Sequence, residues 1–271
     1  MHHSAKPIEH LTFSGVEFPV SRPHPFGIVI EPAGAPVDYL HDVLLSAENR
    51  DRFLDLIERE LLVVCKNLMT EAPTYRRVRG KSSQGKLSQA EYYHHDGCSC
   101  PTKPRVVEIR LPHQQVGRNI HTAVARFPQV MKAMLTALPE RLCSDPEIAD
   151  YRSQFAGDES SFPPVQTWDK IQGRVLRLVR REMDAESCRA YYRTVDELAN
   201  AYVQPWEMGE SRLMINNASD LTRTTQHRRA YQTARTASGQ NGSLVKRWTA
   251  EEAGVIAQSC SLRTDSRRPD A

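Results

Sequence analysis

The sequence predicts an α+β protein built as one domain. Short apolar runs rich in Val, Ile and Leu, cut by Pro and Gly, recur along the chain as strand candidates. Between them lie stretches whose apolar residues return at helical spacing. Of 271 residues, 39% are hydrophobic and 25% charged, the composition of a chain that folds around a core.

Taken in order, residues 1–24 read as a loose N-terminal segment, with strands beginning in GVEFPVSRPHPFGIVIEP. ENRDRFLDLIERELL sets Phe53, Leu54, Ile57 and Leu61 on one stripe and predicts an amphipathic helix. LLVVCKNL follows as a buried strand, and the polar residues 71–90 as a loop. EYYHHDG and RVVEIRLP read as two strands joined by the turn CSCPTKP. RFPQVMKAMLTALPERL and AYYRTVDELANAYV are helical by spacing, and SQFAGDESSFPPVQTWD between them is a turn-rich surface excursion. SRLMINN is a strand, ASDLTRTTQHRRAYQTART a loop and a strand, and NGSLVKRW a last strand after a hairpin-type ASGQNG turn. With no repeat and no linker, the domain is expected to span residues 25–257, with a disordered tail over 258–271.

No run of eighteen apolar residues exists to form a membrane-spanning helix, and the N-terminus has no apolar segment of the secretory type. The six cysteines, at 65, 98, 100, 143, 188 and 260, are scattered, so reduced thiols and a cytoplasmic setting are expected. The formal net charge is only +3, yet Arg212 to Arg247 carries seven basic residues against one acidic residue, Asp220. That segment fits a solvated face or a basin for an anionic ligand. It lacks interleaved aromatics and a nucleic-acid motif, which argues against nucleic acid as a partner.

EYYHHDGCSC, Glu91 to Cys100, concentrates the side chains with chemistry. On a strand, alternate residues share a face, so His94 and Asp96 would point together and His95 away. An imidazole and a carboxylate from one strand are two members of the two-His, one-carboxylate triad that holds Fe(II) with open positions. His227, opening a predicted strand, is the best third ligand; His113 and His121 are weaker because they lie too close in sequence to fold back. Cys98 and Cys100 have no second ligand pair for structural zinc and read as turn residues.

The ordered set HHDG, GRNIHTAVARFP, GESRLMINN and QHRRAY resembles the taurine dioxygenase and clavaminate synthase superfamily over roughly residues 25–250. The resemblance implies a double-stranded β-helix, a jelly-roll and cupin-like barrel with flanking helices. It also implies an Fe(II)- and 2-oxoglutarate-dependent oxygenase. The metal ligands would be His94, Asp96 and His227, and Thr122 would contact 2-oxoglutarate. Such an enzyme takes O2 and a small molecule, here a polar metabolite such as an amino acid or derivative. It hydroxylates, desaturates or cyclises that molecule while releasing succinate and CO2. A non-catalytic cupin-like binding protein is the competing class. Two departures stand out. Asn216 occupies the place of a family Asp, and Gly242 that of the family Arg that binds the distal carboxylate. A buried dicarboxylate needs a cation, ideally a planar guanidinium, and Arg247, then Arg235, are the substitutes within reach.

Overall fold

A computed structural model describes residues 9–32, 38–68, 76–79, 91–96, 105–110, 120–218, 220–231 and 242–248. The strands are β1 (Glu9–Phe13), β2 (Val16–Ser21), β3 (Ile28–Ile30), β4 (Leu62–Cys65), β5 (Arg76–Arg79), β6 (Val106–Arg110), β7 (Ile120–Arg126), β8 (Ser211–Ile215), β9 (Thr225–Tyr231) and β10 (Gly242–Trp248). The α-helices are α1 (Arg50–Glu60), α2 (Phe127–Thr136), α3 (Glu140–Cys143), α4 (Pro146–Gln154), α5 (Trp168–Glu182) and α6 (Ala185–Leu198). The α+β class expected from the sequence is what the chain adopts.

Eight strands form one sheet in the order β1-β2-β3-β4-β8-β6-β10-β5, antiparallel except for the β3–β4 pair. β7 and β9 form a second, antiparallel sheet. Single bridges widen it on both sides: His94 pairs with His227 on β9, and Tyr202 and Pro205 pair with Val124 and His121 on β7.

Burial explains why these segments became strands and helices. Val63, Cys65, Val106, Leu213 and Ile215 pack on one face of the large sheet with Phe53 and Ile57 of α1. Leu62, Val64, Val107, Ile109 and Met214 pack on the other face with Val124, Tyr202 and Trp206 of the second sheet. Both faces of the large sheet are therefore covered at its centre, and LVVC of β4 is apolar at every position instead of alternating. The far face of the second sheet carries Ala123 and Ala125, which lie under α2, α5 and α6. Small residues there let the helices come close. α1 ends where Leu61 takes a left-handed conformation (φ 66°), which turns the chain straight into β4.

Several sequence expectations are corrected. The N-terminal stretch, expected to be loose, supplies the β1–β2 hairpin, whose Phe13 and Phe18 stack edge-on in the core. Within the supposed loop 71–90, RRVR forms β5; it is an edge strand paired only with β10 among the described residues, a position that tolerates charge. Among the described residues 91–96 of EYYHHDG there is no regular strand but a bridge at His94, in the sheet opposite β6. β9 and β10 likewise lie in different sheets and do not pair as a hairpin. α4 and α5 were not expected; α5 buries Trp168, Ile171, Val175, Leu178 and Val179 at helical spacing. The ASGQNG turn, Cys98, Cys100, His113 and the tail 258–271 lie outside the described residues.

A partly buried polar clamp holds a π-helical turn (Leu40–Leu44) to the α1-covered face of the large sheet. His41 Nδ1 lies 2.8 Å from Asp38, its Nε2 3.6 Å from Glu108, and Ser211 donates to Glu108 at 2.6 Å. Burial alone would lower the His41 pKa, but its bonds to Asp38 and Glu108 outweigh that and push it up to about 9. Because the folded pKa is raised above the ordinary 6.5, the clamp's contribution is full below about pH 6.5 and lost as pH rises through about 9. Urea titrations of native protein and His41→Gln should differ by roughly 2 kcal/mol at pH 6, the order of a charge-assisted bond, and converge near pH 10. A gap that does not change with pH contradicts the clamp.

Candidate metal centre

Two backbone hydrogen bonds assemble the centre. His94 N–H donates to His227 O at 3.1 Å, and His227 N–H to His94 O at 3.3 Å. Directly bridged residues project their side chains to the same side, and here the two imidazoles lie with ring centroids 4.5 Å apart. Asp96 completes the group. Its Oδ1 lies 4.0 Å from His94 Nε2 and its Oδ2 3.6 Å from His227 Nε2. One ligand atom from each of the three residues falls within 4.8 Å of the other two.

The tautomer of His94 suits a metal. Its Nδ1 lies 2.7 Å from Tyr92 O, a carbonyl that can only accept. Nδ1–H is therefore the donor in that contact, which leaves Nε2 as the ring atom on the Asp96 side, 4.0 Å from Oδ1. Metal–ligand bonds of about 2.1 Å set ligand atoms roughly 3 Å apart at right angles. Separations of 3.6 and 4.0 Å are a slightly expanded version of that geometry, which a bound cation would draw in. Two imidazoles and one carboxylate, all from a half-buried to buried setting, fit a divalent transition metal.

The neighbours of the three residues point the other way and fix them from behind. Tyr93 O–H donates to Asp196 Oδ1 at 2.7 Å, and Arg228 Nε donates to the same oxygen at 2.8 Å, with a second bond from Arg228 Nη2 to Asp196 Oδ2. One carboxylate on α6 therefore locks the residue before His94 and the residue after His227. Burial and the Asp196 charge hold the Tyr93 phenol well above its ordinary pKa. Burial would lower that of Arg228, but Asp196 outweighs it and raises it. His95 also faces the helices, within 3.3 Å of Thr224 Oγ1 and of the Gln226 amide, its ring edge-on to Phe127. His95 is thus a packing residue, as the alternation of faces implied.

Thr122 pairs with Arg229, two residues along from the Val124–His227 pair, so it shares the His227 face of the second sheet. Its Oγ1 accepts from Trp206 Nε1 at 3.0 Å, and its carbonyl accepts from Arg212 Nη1 at 3.0 Å. His121 faces away from Thr122 along the strand. Its pKa is lowered, first by burial and then by the Arg212 charge. Arg247 lies on β10 paired with Val107, and Arg235 lies outside the described residues. Sequence reasoning missed Asp196, Trp206 and Arg212. Arg212 sat inside an apolar strand run, SRLMI, where a lone charge signals a buried partner.

No protein-family model matches the chain, and no curated protein matches it by sequence. Solved structures do. PvcB, described as an Fe, alpha-ketoglutarate dependent oxygenase from an isonitrile synthetic pathway, is 14% identical, with 94% of this chain and 100% of that chain covered and a TM-score of 0.45. A second structure of PvcB, from Pseudomonas aeruginosa, is 14% identical over 87% of this chain and 91% of that one, at a TM-score of 0.40. AAD-2, in complex with Mn(II) and N-oxalylglycine, is 12% identical over 83% and 95%, at a TM-score of 0.39. At such identities and TM-scores, what the centre does has to follow from its own geometry.

Asp196→Ala would leave the Arg228 guanidinium buried without its carboxylate, a change that typically costs about 3–5 kcal/mol. Chemical denaturation should show a loss of that order. A loss under about 1 kcal/mol, the range of an exposed ion pair, contradicts the lock.

Proposed function

We propose that this chain is a non-haem Fe(II)- and 2-oxoglutarate-dependent oxygenase that activates a C–H bond of a small polar metabolite, with hydroxylation as the default outcome. The observation that carries the reading is the convergence of His94 Nε2, His227 Nε2 and the Asp96 carboxylate between two packed sheets. Three protein ligands leave room on a six-coordinate ion for a chelating 2-oxo acid and O2. A closed structural zinc site would need a fourth protein ligand.

The strand pairing supports a double-stranded β-helix. The segments pair as nested partners, β5 with β10 and β6 with β8 in the large sheet, His94 with β9 and β7 with the 202–205 segment in the second. A ribbon folded back on itself and wound into a barrel would pair its strands in this nested order, which is what favours the reading.

The chain's own residues then divide the work. His94, Asp96 and His227 would hold the iron. Thr122 Oγ1 already accepts from Trp206, so its hydroxyl hydrogen is available to donate to a carboxylate of 2-oxoglutarate. For the distal carboxylate, Arg247 is favoured over Arg235. The Arg247 backbone lies in register with Val107 on β6, within the described sheet, whereas Arg235 lies outside the described residues. The chemistry that Fe(II), 2-oxoglutarate and O2 supply when bound is C–H oxidation coupled to release of succinate and CO2. The protein's part is to place the C–H bond near the metal and keep water out. The resemblance carries the substrate class, an amino acid or derivative.

Metal-free protein should take up one equivalent of Fe(II) under anaerobic conditions and, with O2 and ascorbate, convert 2-oxoglutarate to succinate. His94→Ala, Asp96→Ala and His227→Ala should each weaken metal binding beyond the roughly 10–100-fold typical of residues behind the ligands. Tight Fe(II) binding with no succinate formed would favour a non-catalytic binding protein.

A further inference from the structure

Asp96 lies in the described stretch 91–96. The described stretch around it carries a single bridge, at His94, and no regular strand. The main chain of Asp96 is held by the side chain of Asn216. Asp96 N–H donates to Asn216 Oδ1 at 2.6 Å, and Asn216 Nδ2 donates back to Asp96 O at 3.0 Å. Asn216 is 2% exposed and is itself fixed. Its N–H donates to Arg105 O at 2.8 Å, joined there by Asn217 N–H at 3.1 Å. The Arg105 side chain in turn binds Glu58 of α1, with Nε at 2.7 Å. A chain of contacts therefore runs from α1, through Arg105 and Asn216 at the junction of β6 and β8, to the main chain of Asp96.

We infer that Asn216 is a positioning residue for the metal centre, and that the clamp requires a primary amide. Only a side chain with both a donor and an acceptor can engage the N–H and the carbonyl of the same residue. An ionised carboxylate at 216 could accept from Asp96 N–H but could not return a bond to Asp96 O. It would also set a second negative charge beside the ligand carboxylate. The Asn at 216, a departure from the resembled family, thus becomes a feature of this chain's site. By fixing the Asp96 backbone, it fixes the direction in which the carboxylate meets the two imidazoles. The inference rests on the proposed metal site.

Co(II) titration of the metal-free full-length protein, followed by visible absorption, tests it with a reporter of ligand geometry. Asn216→Ala should raise the Co(II) Kd by about 10–100-fold and alter the ligand-field spectrum, the effect expected for a residue that orients a ligand. Asn216→Asp, nearly isosteric, keeps one bond and should shift affinity and spectrum in the same direction by less. It decides the matter if the Ala variant does not fold. Thr225→Val removes a bond from Thr225 Oγ1 to Ile215 O (2.9 Å) at the same strand end and should leave both readouts near native. Affinities within about twofold of native and unchanged spectra in both Asn216 variants would overturn the inference while leaving the metal site intact. Thr225→Val weakening Co(II) as much as Asn216→Ala would also overturn it. A native chain that binds no Co(II) would overturn the metal site and the inference together.

Discussion

The paired backbone hydrogen bonds between His94 and His227 are the constraint on which the rest depends. They join two residues far apart in sequence and set both imidazoles on one side of the second sheet. One such bridge is worth little in isolation, because each net hydrogen bond contributes only about 0.5–1.5 kcal/mol. It survives because both flanks are tied down. Tyr93 and Arg228 converge on Asp196, and Asp96 is gripped by Asn216. The centre is thus a junction of three structural elements, α6, β9 and the end of β8. The backbones of the three residues are fixed by supports that never touch a ligand atom, so a bound metal would need only to draw the side chains in.

A second buried charge shows how the sheets are held apart at a working distance. Arg212 on β8 is fully buried, and a guanidinium in that position must have every partner supplied. Glu210 neutralises it at 2.6 Å, Thr122 O and Gln204 O accept from it at 3.0 and 2.9 Å, and Trp206 stacks on its plane at 4.1 Å. The side chain spans from the large sheet to the second sheet and pins Thr122 by its carbonyl while Trp206 holds its hydroxyl. An apolar residue of the same volume could fill this space, but it could not fix the register of β7. The strut therefore ties the position of Thr122 to the large sheet, as the His94–His227 bridge ties the two imidazoles to each other.

The legible part of the sequence was the part with a period or a motif. β4, β8 and α1 announced themselves because burial on one or two faces leaves a regular apolar pattern. Alternation predicts that His94 and Asp96 share a face, and His227 stands out because it opens a predicted strand; the structure brings the three together, with a bridge at His94 and a side-chain clamp at Asp96. What was missed lacked a local pattern. RRVR of β5 is an edge strand made of charge, and its pairing with β10 is a long-range event. Asp196 looked like an ordinary surface residue of a helix, since only the fold brings Tyr93 and Arg228 to it. Asn216 was legible as a departure but not as a clamp, because its partner lies in a different segment.

The most direct test of the account is an anaerobic titration of the metal-free protein with Fe(II) and 2-oxoglutarate, read by visible absorption. A 2-oxo acid that chelates protein-bound Fe(II) produces a charge-transfer band absent from either component alone. The account predicts that band at one equivalent of each for the native chain, and its loss in His94→Ala. No band in the native chain, or an undiminished one in His94→Ala, would contradict it.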